Sequence, residues 1–479
     1  MRNWKLRLRR IWGGWVMNFE FIESELGKFV EIVTKRCDAS VVNITNYIST
    51  ENMLPDRQGV TISSGIPNAK NFISFEKGDT LFSNIRTYFK KVWFATFDGG
   101  ASPDVLVFRT SQKKLTNEYL SLILSSDDFI DYSHLTSKGA KMPRGDKGAM
   151  LNYKIKVPPL NYQSKCSKLI FTLNKKIDNN KHINQTLEQM AQALFKSWFV
   201  DFEPVKAKIA VLEAGGSLED AALAAMTAIS GKDADALAVF ELESPEKYAE
   251  LKATAEQFPA AMQDSELGDI PEGWHVADLS NVASLNAESW SKKNTPESVS
   301  YVDLANTKWG VINSIETYQF SDAPSRAKRI LKPHDTIVGT VRPGNGSYAY
   351  ISKTGLTGST GFAVLTPKNR IFSEYIYLCV TSNESIERLA HLADGGAYPA
   401  VNADIVLSTQ CVLPVERETI EALLKMFSSR TEVFFSYRAN NLDQNEVLAS
   451  TRGTLLPKLL SGEITLPEAE QAISEVENV

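Results

Sequence analysis

The chain has 479 residues, 43% of them hydrophobic and 23% charged, which excludes a disordered polymer and a small disulfide scaffold and supplies apolar side chains for more than one core. The formal net charge of −5 conceals a segregation, because residues 1–200 carry +11 and residues 201–300 carry −12. A basic first part beside an acidic middle is the asymmetry expected of a protein with an anionic partner.

Residues 1–17 are basic and rich in Trp but lack the apolar core and small-residue cleavage site of a signal peptide, so they are expected to be an N-terminal extension, with Met17 an alternative start. No apolar run reaches the roughly 18 residues of a membrane span. Cys37, Cys166, Cys379 and Cys411 lie far apart with no CxxC pair, which argues for a reducing compartment, taken as cytoplasmic, and against a zinc cluster.

From about residue 18 the chain contains an internal repeat. Phe75–Arg86 aligns with Leu331–Arg342 at an offset of 256, with identities at Asp79 and Asp335, Thr80 and Thr336, and Arg86 and Arg342. The same offset places Glu118-Tyr119 on Glu374-Tyr375, Gly139 on Gly395, Pro143 on Pro399 and Pro158 on Pro414. Runs rich in apolar and β-branched residues, Thr80–Ile85, Val92–Phe97 and Val105–Phe108 in the first copy and Thr336–Val341, Tyr348–Ile351 and Phe362–Leu365 in the second, are bounded by turn residues and predict strands. Glu118–Leu124 and Glu374–Val380 predict helices. Residues 18–160 and 271–414 are therefore expected to be two similar mixed α/β domains.

Each copy is followed by a stretch with helical periodicity, 161–203 and 415–464. The apolar seam of the first is Ile170, Leu173, Ile177, Leu187, Ala191, Leu194, Phe195 and Trp198; that of the second is Phe427, Phe434, Leu448, Leu455 and Leu459. Forty helical residues make a rod of about 60 Å. The two seams are expected to pack on each other as a coiled coil, with Asn180, Asn184, Asn441 and Asn445 fixing the register. Between the copies, residues 204–270 predict a solvated acidic connector carrying short helices near Leu218–Ile229 and Pro245–Gln257, and residues 465–479 predict a tail.

Catalytic signatures do not emerge. There is no GxxxxGK[ST] loop, HExxH or GxSxG, and His134, His182, His275, His334 and His391 are dispersed, so no metal site is expected. Val157-Pro158-Pro159-Leu160 lacks the polar residue with which an amino-methyltransferase motif holds its target amine; it reads instead as the end of a strand and the start of a helix. What remains is a binding design. Arg86, Lys90 and Lys91 flank Tyr88 and Phe89, and Lys138, Lys141, Arg144 and Lys147 crowd a Gly-rich loop. In the second copy Arg326, Lys328, Arg329 and Arg342 are joined by Asn345, Ser347 and Tyr348. Such residues neutralise phosphates or read base edges.

Three segments carry a family resemblance: Leu187–Phe202, Asp264–Trp274 and Leu455–Ile464, together with Pro158-Pro159-Leu160 and Gln163. They resemble the specificity subunit of type I restriction-modification systems, over nearly the whole chain from about Asn18. The resemblance implies an α+β fold of two target recognition domains separated by two long antiparallel helices. It implies a non-catalytic subunit that reads a bipartite double-stranded DNA target, with the helices acting as a ruler for the unread spacer. It further implies docking of two modification subunits through the helix seams, with restriction subunits joining the complex, and S-adenosylmethionine, Mg and ATP on those partners only. Residues 206–258 are longer than the family's usual connector. The competing reading is a coiled-coil scaffold whose repeated domains bind protein.

Overall fold

The computed structural model describes residues 21–396 and 398–477, so the extension expected at 1–17 lies outside the described residues. The chain divides into two units, Met1–Asn180 with Leu442–Val479, and Lys181–Asn441. Each contains one copy of the repeat.

In the first unit Ile22–Glu25 pairs antiparallel with Lys154–Val157, closing the copy end to end. A four-stranded sheet runs Val30–Ile32, Val105–Thr110, Thr80–Ser83, Val92–Phe94. The second unit repeats both: Trp274–Asp278 pairs with Gln410–Pro414, and a sheet runs Ala283–Leu285, Phe362–Pro367, Thr336–Gly339, Tyr348–Tyr350. A further sheet shares three strands between copies, Asn71–Phe75, Gly99–Ala101 and Tyr47–Ile48 in the first, Ala327–Leu331, Leu356–Ser359 and Ser298–Val302 in the second. Its edges differ. The first copy adds Arg36–Asp38 beside Asn71–Phe75, and the second adds Glu316–Gln319 beside Ser298–Val302.

The identities that betrayed the repeat have local causes. Asp79 accepts the Glu76 backbone N–H at 2.7 Å and Asp335 accepts that of Lys332 at 2.8 Å, each carboxylate closing the turn that launches a strand. Thr80 and Thr336 open those strands fully buried. Helices follow, Asn117–Ser125 capped by the Thr116 hydroxyl and Asp127–Leu135 capped by Ser126; in the second copy Ser382 caps Asn383–His391.

The long helices are Leu160–Phe199 and Arg417–Ser461. Their pairing is antiparallel, since partner numbers fall on one helix as they rise on the other. In the first unit the Tyr162 hydroxyl donates to the Leu459 carbonyl at 3.0 Å, Arg452 donates to Asn174 at 2.7 Å, and Asn180 donates to Gln444 and Asn445 at 2.7 and 2.9 Å. In the second unit Asn441 donates to Asn184 at 2.8 Å, and Arg438 pairs with Glu188 at 2.5 Å. Asn180 and Asn184 are buried, and because each has a partner only in this alignment they disfavour slippage. Ile170, Leu173, Ile177, Ala191, Phe195, Trp198, Leu448, Leu455 and Leu459 are buried as the seam requires, while Leu187, Leu194 and Phe434 are half-buried.

Two expectations are corrected. Residues 204–270 do not form a solvated connector: helices Glu203–Glu213, Leu218–Ser230, Ala234–Glu243 and Pro245–Glu256 bury Val205, Ala225, Met226, Leu237, Leu251 and Ala255 in the core that holds Trp198 and Trp274. Phe258 seals the join, edge-on to Trp198 at 5.6 Å and stacked on Trp274 at 6.0 Å. The many alanines let these helices approach closely, while acidic side chains such as Glu219, Asp220 and Glu243 stay exposed; net charge registered the outer face and missed the inner one. The described part of the stretch expected to be a tail, 465–477, is likewise ordered against the core. Leu466–Glu477 is a helix whose Leu466, Ala469 and Ile473 are buried on one face in the first unit's core.

The segments that carry the family resemblance prove to be structural joints. Gln163, fully buried, donates to the carbonyls of Pro158 and Lys114 and accepts from the Thr116 N–H, tying a strand end to a helix start. Gly462 ends the second long helix at φ +78°, where a Cβ would stand 2.5 Å from the Phe21 ring.

Candidate nucleic-acid interface

Each copy presents the same two-loop platform at the end of its central strand. The strand Thr80–Ser83 leads to Arg86, held at φ 48°, then the short turn Thr87–Phe89 and Lys90 at φ 55°. The strand Thr336–Gly339 leads to Arg342 at φ 49°, then Pro343–Asn345 and Gly346 at φ 65°. An arginine in left-handed backbone stores strain of about 1 kcal/mol or more, kept only where the surroundings enforce it. They enforce it identically here. The Arg86 N–H donates to the Pro143 carbonyl at 2.9 Å, and that of Arg342 to the Pro399 carbonyl at 2.7 Å.

The second loop is a tight hairpin. Lys138 and Arg144 exchange backbone hydrogen bonds at 2.8 and 2.9 Å, as Asp394 and Ala400 do at 3.0 and 2.8 Å. Gly139 and Gly395 turn it at φ +101° and +111°. Below, the Gly145 N–H donates to the Asn84 carbonyl and that of Val401 to the Thr340 carbonyl. A brace from a third segment completes each platform: the N–H groups of Asp56 and Arg57 donate to the carbonyls of Phe89 and Lys90, and those of Trp309 and Gly310 to the carbonyls of Gly346 and Tyr348. All four brace residues have positive φ.

The residues expected to bind nucleic acid divide by environment. Arg86, Lys141, Arg326, Arg342 and Asn345 are exposed. Lys138 and Arg144 are exposed but paired, with Asp146 at 2.5 Å and Asp104 at 2.9 Å; such surface pairs are worth little and can exchange an acidic partner for a phosphate. Lys328 lies half-buried over the Phe320 ring at 5.3 Å. Lys90 pairs with Asp127 at 2.6 Å beside Arg57, which anchors the brace.

Two candidates are withdrawn from a contacting role. Lys91 is half-buried and donates to the Thr50 carbonyl at 2.6 Å, and burial lowers its pKa, so its ammonium serves the fold. Tyr348 is only 8% exposed, edge-on to Trp309 and Tyr377, with its phenol pushed up to about 12 by burial. It is a core residue beneath the platform. The seam residues Phe195, Trp198, Leu448, Leu455 and Leu459 are buried within their own units, so their side chains cannot also be a docking surface.

Three exposed residues on or beside the platforms were not singled out from the sequence: Met142 (52% exposed), Tyr398 (72%) and Trp309 (58%). The Arg342 guanidinium sits 4.6 Å over the Tyr398 ring. The available signal was position, since Met142 and Tyr398 immediately precede the repeated Pro143 and Pro399. Among the described residues no group of three or more His, Cys, Asp or Glu side chains could hold a metal ion, and no helix is long and apolar enough to cross a membrane.

The architecture is thus a duplicated α+β chain in which each copy carries a two-loop platform with an exposed arginine and one part of an antiparallel helix pair. Residues 20–189 match the type I restriction modification DNA specificity domain. The chain is 28% identical over 466 residues to the type I restriction enzyme HindI specificity subunit of Haemophilus influenzae, covering 92% of this chain and 99% of that one. It is 25% identical over 195 residues to the MjaIX specificity subunit of Methanocaldococcus jannaschii, covering 39% and 43%. Among solved structures, the S subunit of a type I system from M. genitalium aligns with a TM-score of 0.47 at 12% identity, covering 95% of this chain and 98% of that one. The HsdS subunit of Thermoanaerobacter tengcongensis aligns with a TM-score of 0.31 at 14% identity, covering 93% and 97%. The chain is thus similar to type I restriction-modification specificity subunits, through the matched domain in its first copy and through a relative aligned over nearly its whole length.

Proposed function

We propose that this chain is the non-catalytic, sequence-reading subunit of its complex, with each copy reading one half of a split duplex DNA target. The observation that carries this is the duplicated platform: two copies with diverged side chains keep the same strained, exposed arginine on the same backbone scaffold. Phosphate contacts by these arginines and by Lys138, Lys141, Arg144 and Arg326 would fix each copy on the duplex, and neighbouring side chains would read bases. The helix pair sets the length of the unread spacer. The outer faces of that pair dock two modification subunits, which supply S-adenosylmethionine chemistry, and restriction subunits that use Mg and ATP join through the same complex.

The test is equilibrium binding of the complex with its modification subunits to duplex DNA over a range of salt. Affinity should fall steeply with salt, and Arg86→Ala combined with Arg342→Ala should reduce the slope of log affinity against log salt by about two, one per lost phosphate contact. Binding that does not respond to salt, or an unchanged slope in the double variant, would favour the protein-binding scaffold.

A further inference from the structure

The two platforms share a backbone and an arginine but differ in the side chain that stands beside it. Met142 and Tyr398 occupy the same place in the hairpin, each following the positive-φ glycine by three residues and preceding the proline whose carbonyl binds the arginine N–H. The turn is fixed on both sides: a Cβ on Gly139 would lie 3.4 Å from the Met142 carbonyl oxygen, and one on Gly395 would lie 3.3 Å from that of Tyr398. Position 142 and position 398 are therefore held in the same geometry while carrying different chemistry.

Several other differing positions on the platform are engaged within it. Lys138 and Arg144, which correspond to Asp394 and Ala400 at the repeat offset, are ion-paired to Asp146 and Asp104. Tyr88 packs against Phe89 at 4.7 Å and His134 at 5.2 Å. Met142 and Tyr398 project large side chains into solvent at this one shared position, 52% and 72% exposed. The Arg342 guanidinium 4.6 Å over the Tyr398 ring orients the pair together.

We propose that positions 142 and 398 are the residues that make the two half-sites different, reading base edges of double-stranded DNA next to a common contact made by Arg86 and Arg342. The proposal rests on the DNA-reading function above. A flexible thioether offers apolar contact of the kind a thymine methyl accepts; a phenol adds a flat ring and a hydroxyl that donates or accepts. Equal arginines cannot distinguish two sequences. Unequal neighbours in equal geometry can.

The experiment selects duplexes from a randomised pool with the assembled complex, comparing the parent chain with Tyr398→Met, Tyr398→Phe and Met142→Tyr. Tyr398→Met is expected to change the preferred base at one or two adjacent positions in one half-site and leave the other half unchanged, with affinity for the parent target falling about tenfold or more. Met142→Tyr should do the same in the opposite half. Tyr398→Phe keeps the ring and should retain more of the parent preference, which separates reading from a folding defect. A parent complex that selects a split sequence while all three variants select the same one would overturn this inference and leave the function standing. One variant altering both halves would also overturn it. A parent complex that selects no sequence would overturn both.

Discussion

Replacing Trp198 with alanine is expected to destabilise the second unit by about 3–5 kcal/mol, the range for removing a large aromatic side chain from a core. Trp198 is fully buried at the end of the first long helix, with the rings of Phe199, Phe258 and Phe427 at 6.1, 5.6 and 5.7 Å. Those rings belong to three different segments: the helix itself, the end of the acidic four-helix segment and the second long helix. Truncation opens a cavity where they meet, and no one of them can move in without leaving another. Leu187→Ala, at a half-buried position on the same helix, should cost far less. Trp198→Phe should be milder than alanine because it keeps an aromatic ring in that space; both substitutions delete a buried indole N–H that has no hydrogen-bond partner, so its loss does not separate them. Urea unfolding monitored by circular dichroism measures all three. A Trp198→Ala midpoint within error of the parent would mean the acidic segment is not part of this core.

Inserting seven residues that continue the seam into both long helices, opposite each other, is expected to change the spacer of the DNA target and neither half-site. Seven residues add about 10.5 Å of helix, and B-DNA rises about 3.4 Å per base pair, so the expected change is about three base pairs. The insertion must be made in both helices. Asn180 with Gln444 and Asn445, and Asn184 with Asn441, hold the alignment, and a one-sided insertion would strand these buried amides. Target sites mapped with the lengthened chain should show the original half-sites at the new spacing. Recovery of the original spacing would contradict the ruler.

Much of the fold was legible in the sequence because repetition supplies an internal comparison. The 256-residue offset located strands Thr80–Ser83 and Thr336–Gly339, and regular apolar spacing, joined in the first by the absence of Gly and Pro, located both long helices to within a few residues. Residues 204–270 were misread for an identifiable reason: charge reports the outer face of a helix, whereas Ala225, Met226 and Ala255 report the inner one, and small side chains make a weak apolar signal. The interface was half legible. Arg86 and Arg342 stood out as identities within the repeat, but Tyr348 looked like a contact because polar neighbours surround it in sequence, and only the packing of Trp309 and Tyr377 shows that it is covered. Met142 and Tyr398 were invisible to a search for identities because they are the positions where the copies differ.

The most direct test of two copies reading two halves is to map methylated bases in the genome of cells carrying this chain with its modification subunits. A split target is expected: two short defined sequences separated by a gap of constant length and undefined composition. A single uninterrupted recognition sequence, or two halves at variable spacing, would contradict it.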